Sequence, residues 1–190
     1  MNRNIAVGIL LLAGALLTAP RTKADGIFTA TLLGSGEVPP TGSSASGLIT
    51  VTLTGNILSV NETFSALIGG PAAAAHIHCC VGAGVNAPVA VPFTGFPNTT
   101  SGSYSNTFDL TQSSVYTAAF ETANGGTAAG AESALVAALF AGQTYANIHD
   151  ATFPGGEIRG QLIQTPEPSM LILLGVGLTG LGAWRKRRTA

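Results

Sequence analysis

Three histidines make up the whole imidazole complement of this 190-residue chain, in two short clusters, Ala75-His76-Ile77-His78 and Asn147-Ile148-His149. On a strand, residues two apart project to the same side, so His76 and His78 point together while Ile77 turns away. If the strand carrying His149 pairs beside them, three imidazoles meet at one ion, with nitrogens within about 4 Å of one another. Such a set suits copper, with zinc the second choice. A His-x-His pair also arises by chance on any strand. The alternative is that the histidines make structural hydrogen bonds or line a surface, so the residues alone fix no cofactor.

A second group follows the turn Phe153-Pro154-Gly155-Gly156: Glu157 and Arg159, again two apart on one face. A guanidinium among acidic residues is ordinarily held by carboxylates in a two-pronged pair. Two roles are open to it: a salt bridge, with Glu37 as partner, that pins the last strand, or guidance of an anion toward the histidines. Cys79 and Cys80 directly follow the first histidine pair. Adjacent cysteines do not staple distant segments of one chain. They are left to form a vicinal disulfide, to pair between chains, or to act as soft thiolate ligands. No nucleophile elbow, phosphate-binding loop or dinucleotide fingerprint occurs. A Ser/His/Asp set drawn through His149 and Asp150 is uninformative where serine is this common, and no catalytic residue is assigned. Asn61-Glu62-Thr63 and Asn98-Thr99-Thr100 match the glycosylation sequon by coincidence.

The elements that must position these residues are short runs with a period of two: Ile27 to Leu33, Leu48 to Leu53, Ile57 to Leu67, Pro88 to Phe93, Tyr104 to Leu110, Thr144 to His149 and Glu157 to Ile163. Thr54-Gly55-Asn56 joins the second and third as a hairpin. Leu135, Val136, Leu139 and Phe140 recur at helical spacing within Ala131 to Ala141, and Gly142 stands where a helix would stop. Seven strands and one short helix predict an all-β, immunoglobulin-like or Greek-key β-sandwich, with a small barrel as runner-up.

The ends read differently. Arg3, an apolar run from Ile5 to Ala19, and Thr22-Lys23-Ala24 have the layout of a secretory signal peptide, residues 1–24, cleaved after Ala24. The apolar run falls short of the roughly 20 residues of a spanning helix. At the other end, residues 166–190, Pro166-Glu167-Pro168 precedes an apolar stretch from Met170 to Trp184 and the basic cluster Arg185-Lys186-Arg187-Arg188, a charge placement that holds that end in the cytoplasm. Both ends are expected to form hydrophobic sorting helices, the second a short transmembrane one. Without them Arg159 is the only cation of residues 25–165. It faces Asp25, Glu37, Glu62, Asp109, Glu121, Glu132, Asp150 and Glu157. Nothing remains to neutralise phosphates, which excludes nucleic acid as a partner. About 140 residues suffice for one core.

The tripartite tail closely resembles the PEP-CTERM sorting signal. That resemblance implies processing by an exosortase-type enzyme, passage through the membrane during sorting, and a Gram-negative cell envelope, outer surface or extracellular matrix as destination. The middle, residues 25–165, resembles the CHRD domain, named after chordin. The likeness is carried in order by Leu33-Gly34-Ser35-Gly36-Glu37-Val38-Pro39-Pro40, Gly47, Ala75-His76-Ile77-His78, Tyr145-Ala146-Asn147-Ile148-His149 and Phe153-Pro154-Gly155-Gly156-Glu157-Ile158-Arg159-Gly160. It implies an extracellular domain without a defined biochemical role. More distantly, the order of His-x-His, a later Ile-His-Asp, a Gly-rich turn and a strand bearing Arg is similar to the copper half of copper/zinc superoxide dismutase. That likeness implies His76, His78 and His149 as copper ligands and Arg159 as the anion guide, but leaves no histidine for a bridging position or a zinc site. Two functions follow: a non-catalytic surface, matrix or binding module in contact with envelope components, or a mononuclear copper protein with superoxide-dismutase-like chemistry.

Overall fold

The computed structural model describes residues 25–165, so the proposed signal peptide and sorting tail, with their expected helices, lie outside the described residues. Among the described residues no helix is long and apolar enough to cross a membrane.

Alternation decides most of the strands. In β1 (Gly26–Leu33), β2 (Ser46–Thr54) and β3 (Ile57–Ser65), every second side chain is buried, and the others are largely Thr, Ser and Asn. Those inward residues, among them Phe28, Leu32, Ile49, Val51, Leu58 and Val60, are sealed from solvent, which supplies the driving force for the sheet. The β2–β3 hairpin pairs Thr54 with Ile57 across Gly55-Asn56, and Gly55 takes the left-handed φ of +59° that a tight two-residue turn requires.

The chain continues through β4 (Ala74–Cys79), β5 (Val89–Pro92), β6 (Gly102–Asp109), α1 (Ala118–Ala123), α2 (Ala128–Phe140), β7 (Thr144–His149), β8 (Ile158–Gln161) and β9 (Ile163–Thr165). All nine strands belong to one antiparallel sheet, in the order β5-β4-β7-β8-β1-β2-β3-β6, with β9 also on β1. The sheet curls, and its two outer strands meet through side chains: Phe93, just past β5, lies 5.3 Å from Tyr104 and 6.1 Å from Phe108 of β6. One hydrophobic core fills the inside of the curl. A mostly β, antiparallel architecture with few helices agrees with the expected class and is consistent with a sandwich.

Three details correct the expected elements. The histidine pair sits on a strand of its own, β4, which the seven runs omit; its inward residues are only Ala75, Ile77 and Cys79, too little apolar bulk to register as a run. The last run is broken at Leu162, which is fully buried and donates its N–H to Thr144 O, so that β8 pairs with β7 and β9 with β1. The single helix becomes two. Thr117 and Thr127 cap α1 and α2 by accepting from Phe120 N and Gly130 N, and the second cap starts α2 three residues before the expected position.

Candidate metal centre

Register brings the chemistry together. In the β4–β7 ladder His76 faces Asn147, His78 faces Tyr145 and Ala74 faces His149; in β7–β8, Asn147 faces Arg159. Partners across an antiparallel ladder share a face, so His76, His78, Tyr145, Asn147, His149 and Arg159 all project from the same side. Ala75, Ile77, Ala146, Ile148 and Ile158 point into the core and are fully buried or nearly so.

One ligand atom from each of His76, His78 and His149 lies within 4.8 Å of the other two. This is wider than the expected 4 Å. Bonds of about 2.0–2.1 Å to a tetrahedral ion would draw the nitrogens to roughly 3.4 Å, a closure of up to about 1.4 Å. The proton inventory suits the task. A carbonyl oxygen only accepts, so His78 Nδ1 donates to Ala87 O at 2.8 Å and His149 Nδ1 donates to Pro154 O at 2.9 Å. In a neutral ring each Nε2 then carries the lone pair. His78 Nε2 and His76 Nδ1 are buried without a hydrogen-bond partner. Burial holds His76 down at about 4, with the neighbouring His149 and His78 adding to the effect. It lowers His78 and His149 as well, against the pull of their backbone hydrogen bonds. Three neutral imidazoles, two of them anchored through Nδ1 by backbone carbonyls, are a donor set that suits a transition-metal ion.

The surrounding shell was only partly foreseen. Tyr145 and Asn147 lie in the Tyr145-Ala146-Asn147-Ile148-His149 signature, where their alternation with His149 places them on one face but assigns them no role, and the β4–β5 loop lies in no signature. The loop covers the cluster. Arg159 donates from Nη1 to Asn86 Oδ1 at 3.0 Å and from Nη2 to Val85 O at 2.7 Å, and its guanidinium carbon stands 3.3 Å from the Tyr145 ring centroid. His78 stacks on the same ring at 4.5 Å. Asn86 Nδ2 donates to Val38 O, and Ala87 N to the Tyr145 hydroxyl. The prongs of Arg159 therefore go to neutral oxygens of the loop, where a carboxylate pair was expected. With Arg159 only 2% exposed, its charge is enclosed.

The two expected carboxylates take separate places. Glu37 is buried near the cluster, with Asn147 Nδ2 3.5 Å from its Oε1; burial lifts its pKa to about 7, and the charge of Arg159 pulls the other way. Gly156, at φ +124°, lets this pair close up, because a Cβ there would overlap Glu37 Oε1 and Asn147 Nδ2. Glu157 is fully buried and points elsewhere. Its Oε1 accepts from Ser43 Oγ at 2.5 Å and Ile68 N at 2.8 Å, its Oε2 from Gly69 N at 3.3 Å, and burial pushes its pKa up. It ties the Gly-rich turn to two distant loops. Of the three fates open to the cysteines, the structure contains the vicinal disulfide, Cys79 to Cys80, at the base of the loop over the cluster.

Two family models match the chain: the PEP-CTERM protein-sorting motif over residues 164–188 and the CHRD domain over residues 28–162. The first is a sorting signal that exosortase recognises, and it marks the protein for export to the cell envelope. No curated protein and no solved structure matches the chain, so the likeness to superoxide dismutase rests on motif order alone. The CHRD match spans most of the sequence and contains all three histidines, Tyr145, Asn147 and Arg159 together with the loop that covers them, and the chain belongs to the CHRD-domain family.

Proposed function

We propose that this exported protein is a non-catalytic envelope or matrix module whose histidine face binds one transition-metal ion, copper in preference to zinc. The observation that carries the reading is the convergence of three neutral imidazoles, two of them fixed through Nδ1 by backbone carbonyls. His76, His78 and His149 would hold the ion. When bound, it would supply a Lewis-acidic, redox-capable centre near the surface. The chain's own residues do the positioning: Ala87 O and Pro154 O set the tautomers, Tyr145 supports the His78 ring, and the β4–β5 loop limits water.

The enclosure of Arg159 favours a binding role over superoxide chemistry, since a guanidinium engaged by Val85, Asn86 and Tyr145 has little left to offer a passing anion. On the same reading, removal of residues 1–24 and of the tail leaves residues 25–165 as the mature domain at a Gram-negative surface. The position of β1 between β8 and β2 supports a Greek-key, immunoglobulin-like sandwich.

The full chain titrated with Cu(II) should take up one equivalent, with superoxide consumption no faster than that of the free ion. His76→Ala should abolish stoichiometric uptake. Binding that ignores this substitution sinks the metal reading, and copper-dependent turnover that His76→Ala removes would replace the module by the enzyme.

A further inference from the structure

Asn147 stands at the middle of the histidine face. Register sets it opposite His76 on one side and Arg159 on the other, and it precedes His149 by two residues. Its side chain is 2% exposed, lies 2.9 Å from His149 Nε2, rests against His78 and reaches Glu37 Oε1 at 3.5 Å. One carboxamide thus touches two of the three imidazoles on the side from which their lone pairs emerge.

The donor count sharpens this. Pro154 O and Ala87 O already take the Nδ1 protons of His149 and His78, so both Nε2 atoms are acceptors when the rings are neutral. An acceptor facing Asn147 Oδ1 is a mismatch, and His78 Nε2 is left without a partner. The two ends of a carboxamide are assigned by their hydrogen-bond partners. With the amide turned so that its NH2 faces the rings, its two N–H groups can serve the Nε2 atoms of His149 and His78, while Oδ1 turns to Glu37 and accepts from its carboxyl in the protonated form that burial favours. An NH2 group between converging lone pairs occupies the position an ion would take.

Resting on the metal reading above, we infer that the Asn147 carboxamide plugs the metal-free histidine site, and that a metal ion enters by displacing it toward Glu37. Asn147 is a positioning residue: it sets the affinity of a site whose ligands lie on other residues.

The test compares the full chain with Asn147→Ala and Asn147→Asp. Without metal, the imidazole 15N resonances of His78 and His149 should report hydrogen-bonded Nε2 acceptors in the parent chain, and Asn147→Ala should move both toward the free-acceptor position. In Cu(II) and Zn(II) titrations against a competing chelator, Asn147→Ala should bind about tenfold more tightly, the expected size for removing one or two modest hydrogen bonds. Asn147→Asp, which keeps the side-chain volume and replaces the NH2 by an anionic oxygen, should also bind both ions more tightly than the parent chain. Parent and alanine affinities within twofold, or unmoved 15N resonances in either well-folded variant, overturn the plug while leaving metal binding intact. Absence of metal from every form, with the 15N shifts as expected, overturns the metal reading and leaves the amide contact standing.

Discussion

Glu62 carries its carboxyl inward from β3, between Val60 and Phe64 and opposite Ile49 and Tyr104, and both its oxygens are buried without a hydrogen-bond partner. A charge there would be costly, and burial raises its pKa from 4.5 to about 8. The sign of the stability effect follows. Below pH 4.5 the group is protonated whether the chain is folded or not and contributes no pH dependence. Between 4.5 and about 8 only the unfolded chain releases the proton, so the folding constant drops about tenfold per pH unit; above that range the loss levels off. In urea titrations, Glu62→Gln should remove this slope, and the stability of the parent relative to the variant should fall by roughly a hundredfold or more between pH 5 and pH 8. A difference that stays constant across that range would mean the carboxyl is ionised in the fold and has a partner. The same residue is outwardly indistinguishable in sequence from the exposed polar positions beside it, since Asn61-Glu62-Thr63 reads as polar throughout. Only the register set by Val60 and Phe64 turns it inward.

At the scale of elements, the histidine face depends on a turn as much as on strands. Phe153 to Gly156 returns the chain from β7 to β8, and its Gly156 holds φ +124° while leaving the space that Glu37 and Asn147 occupy. Gly156→Ala should therefore cost about 3 kcal/mol or more, combining a backbone conformation foreign to alanine with overpacking of a buried polar pair. It should also weaken copper uptake, because the same turn holds His149 through Pro154 O and a Cβ at Gly156 would fill the space beside Glu37 into which Asn147 must move. Gly155→Ala is the control, since a Cβ at Gly155 meets nothing within 4 Å. Equal melting temperatures for the two variants would show that the turn does not support the cluster. This contrast also marks what was legible beforehand. The alternation of Tyr145, Asn147 and His149, the Gly-Asn hairpin and the α2 stripe could all be read from residue type and period. The loop from Cys80 to Pro88 could not, because its contribution is made largely by the carbonyls of Val85 and Ala87, which every residue type carries. The expected Glu–Arg pairing failed for a related reason: the Val85 carbonyl and Asn86 took the guanidinium, and backbone amides of Ile68 and Gly69 took Glu157.

For the whole molecule, charge connects the domain to its route out of the cell. The full chain has a formal charge of −1 at pH 7 and a sequence isoelectric point near 6.3. That near-neutrality comes from the ends. Loss of residues 1–24 removes Arg3, Arg21 and Lys23, and loss of the sorting tail removes Arg185, Lys186, Arg187 and Arg188 with only Glu167 in exchange. What remains sets eight carboxyl side chains against Arg159 alone. On the proposed processing, each cleavage would shift the isoelectric point toward the acid in a separate step, and under denaturing conditions the doubly processed form should focus at a pH of about 4, near the ordinary carboxylate values. Isoelectric focusing of the exported protein thus reports which ends have gone. Replacing Pro166-Glu167-Pro168 by alanines should stop the series at the intermediate form, with the basic cluster retained and the protein held at the membrane. A protein that reaches the envelope fully acidic despite that replacement would show that the tail is cut by a route independent of the motif. Stepwise acidification also matters for the histidine face. On the proposed processing, a domain left with eight carboxyl side chains against one cation would attract metal cations through its long-range field, while that cation, Arg159, lies enclosed against Tyr145 and the β4–β5 loop, close to the site itself.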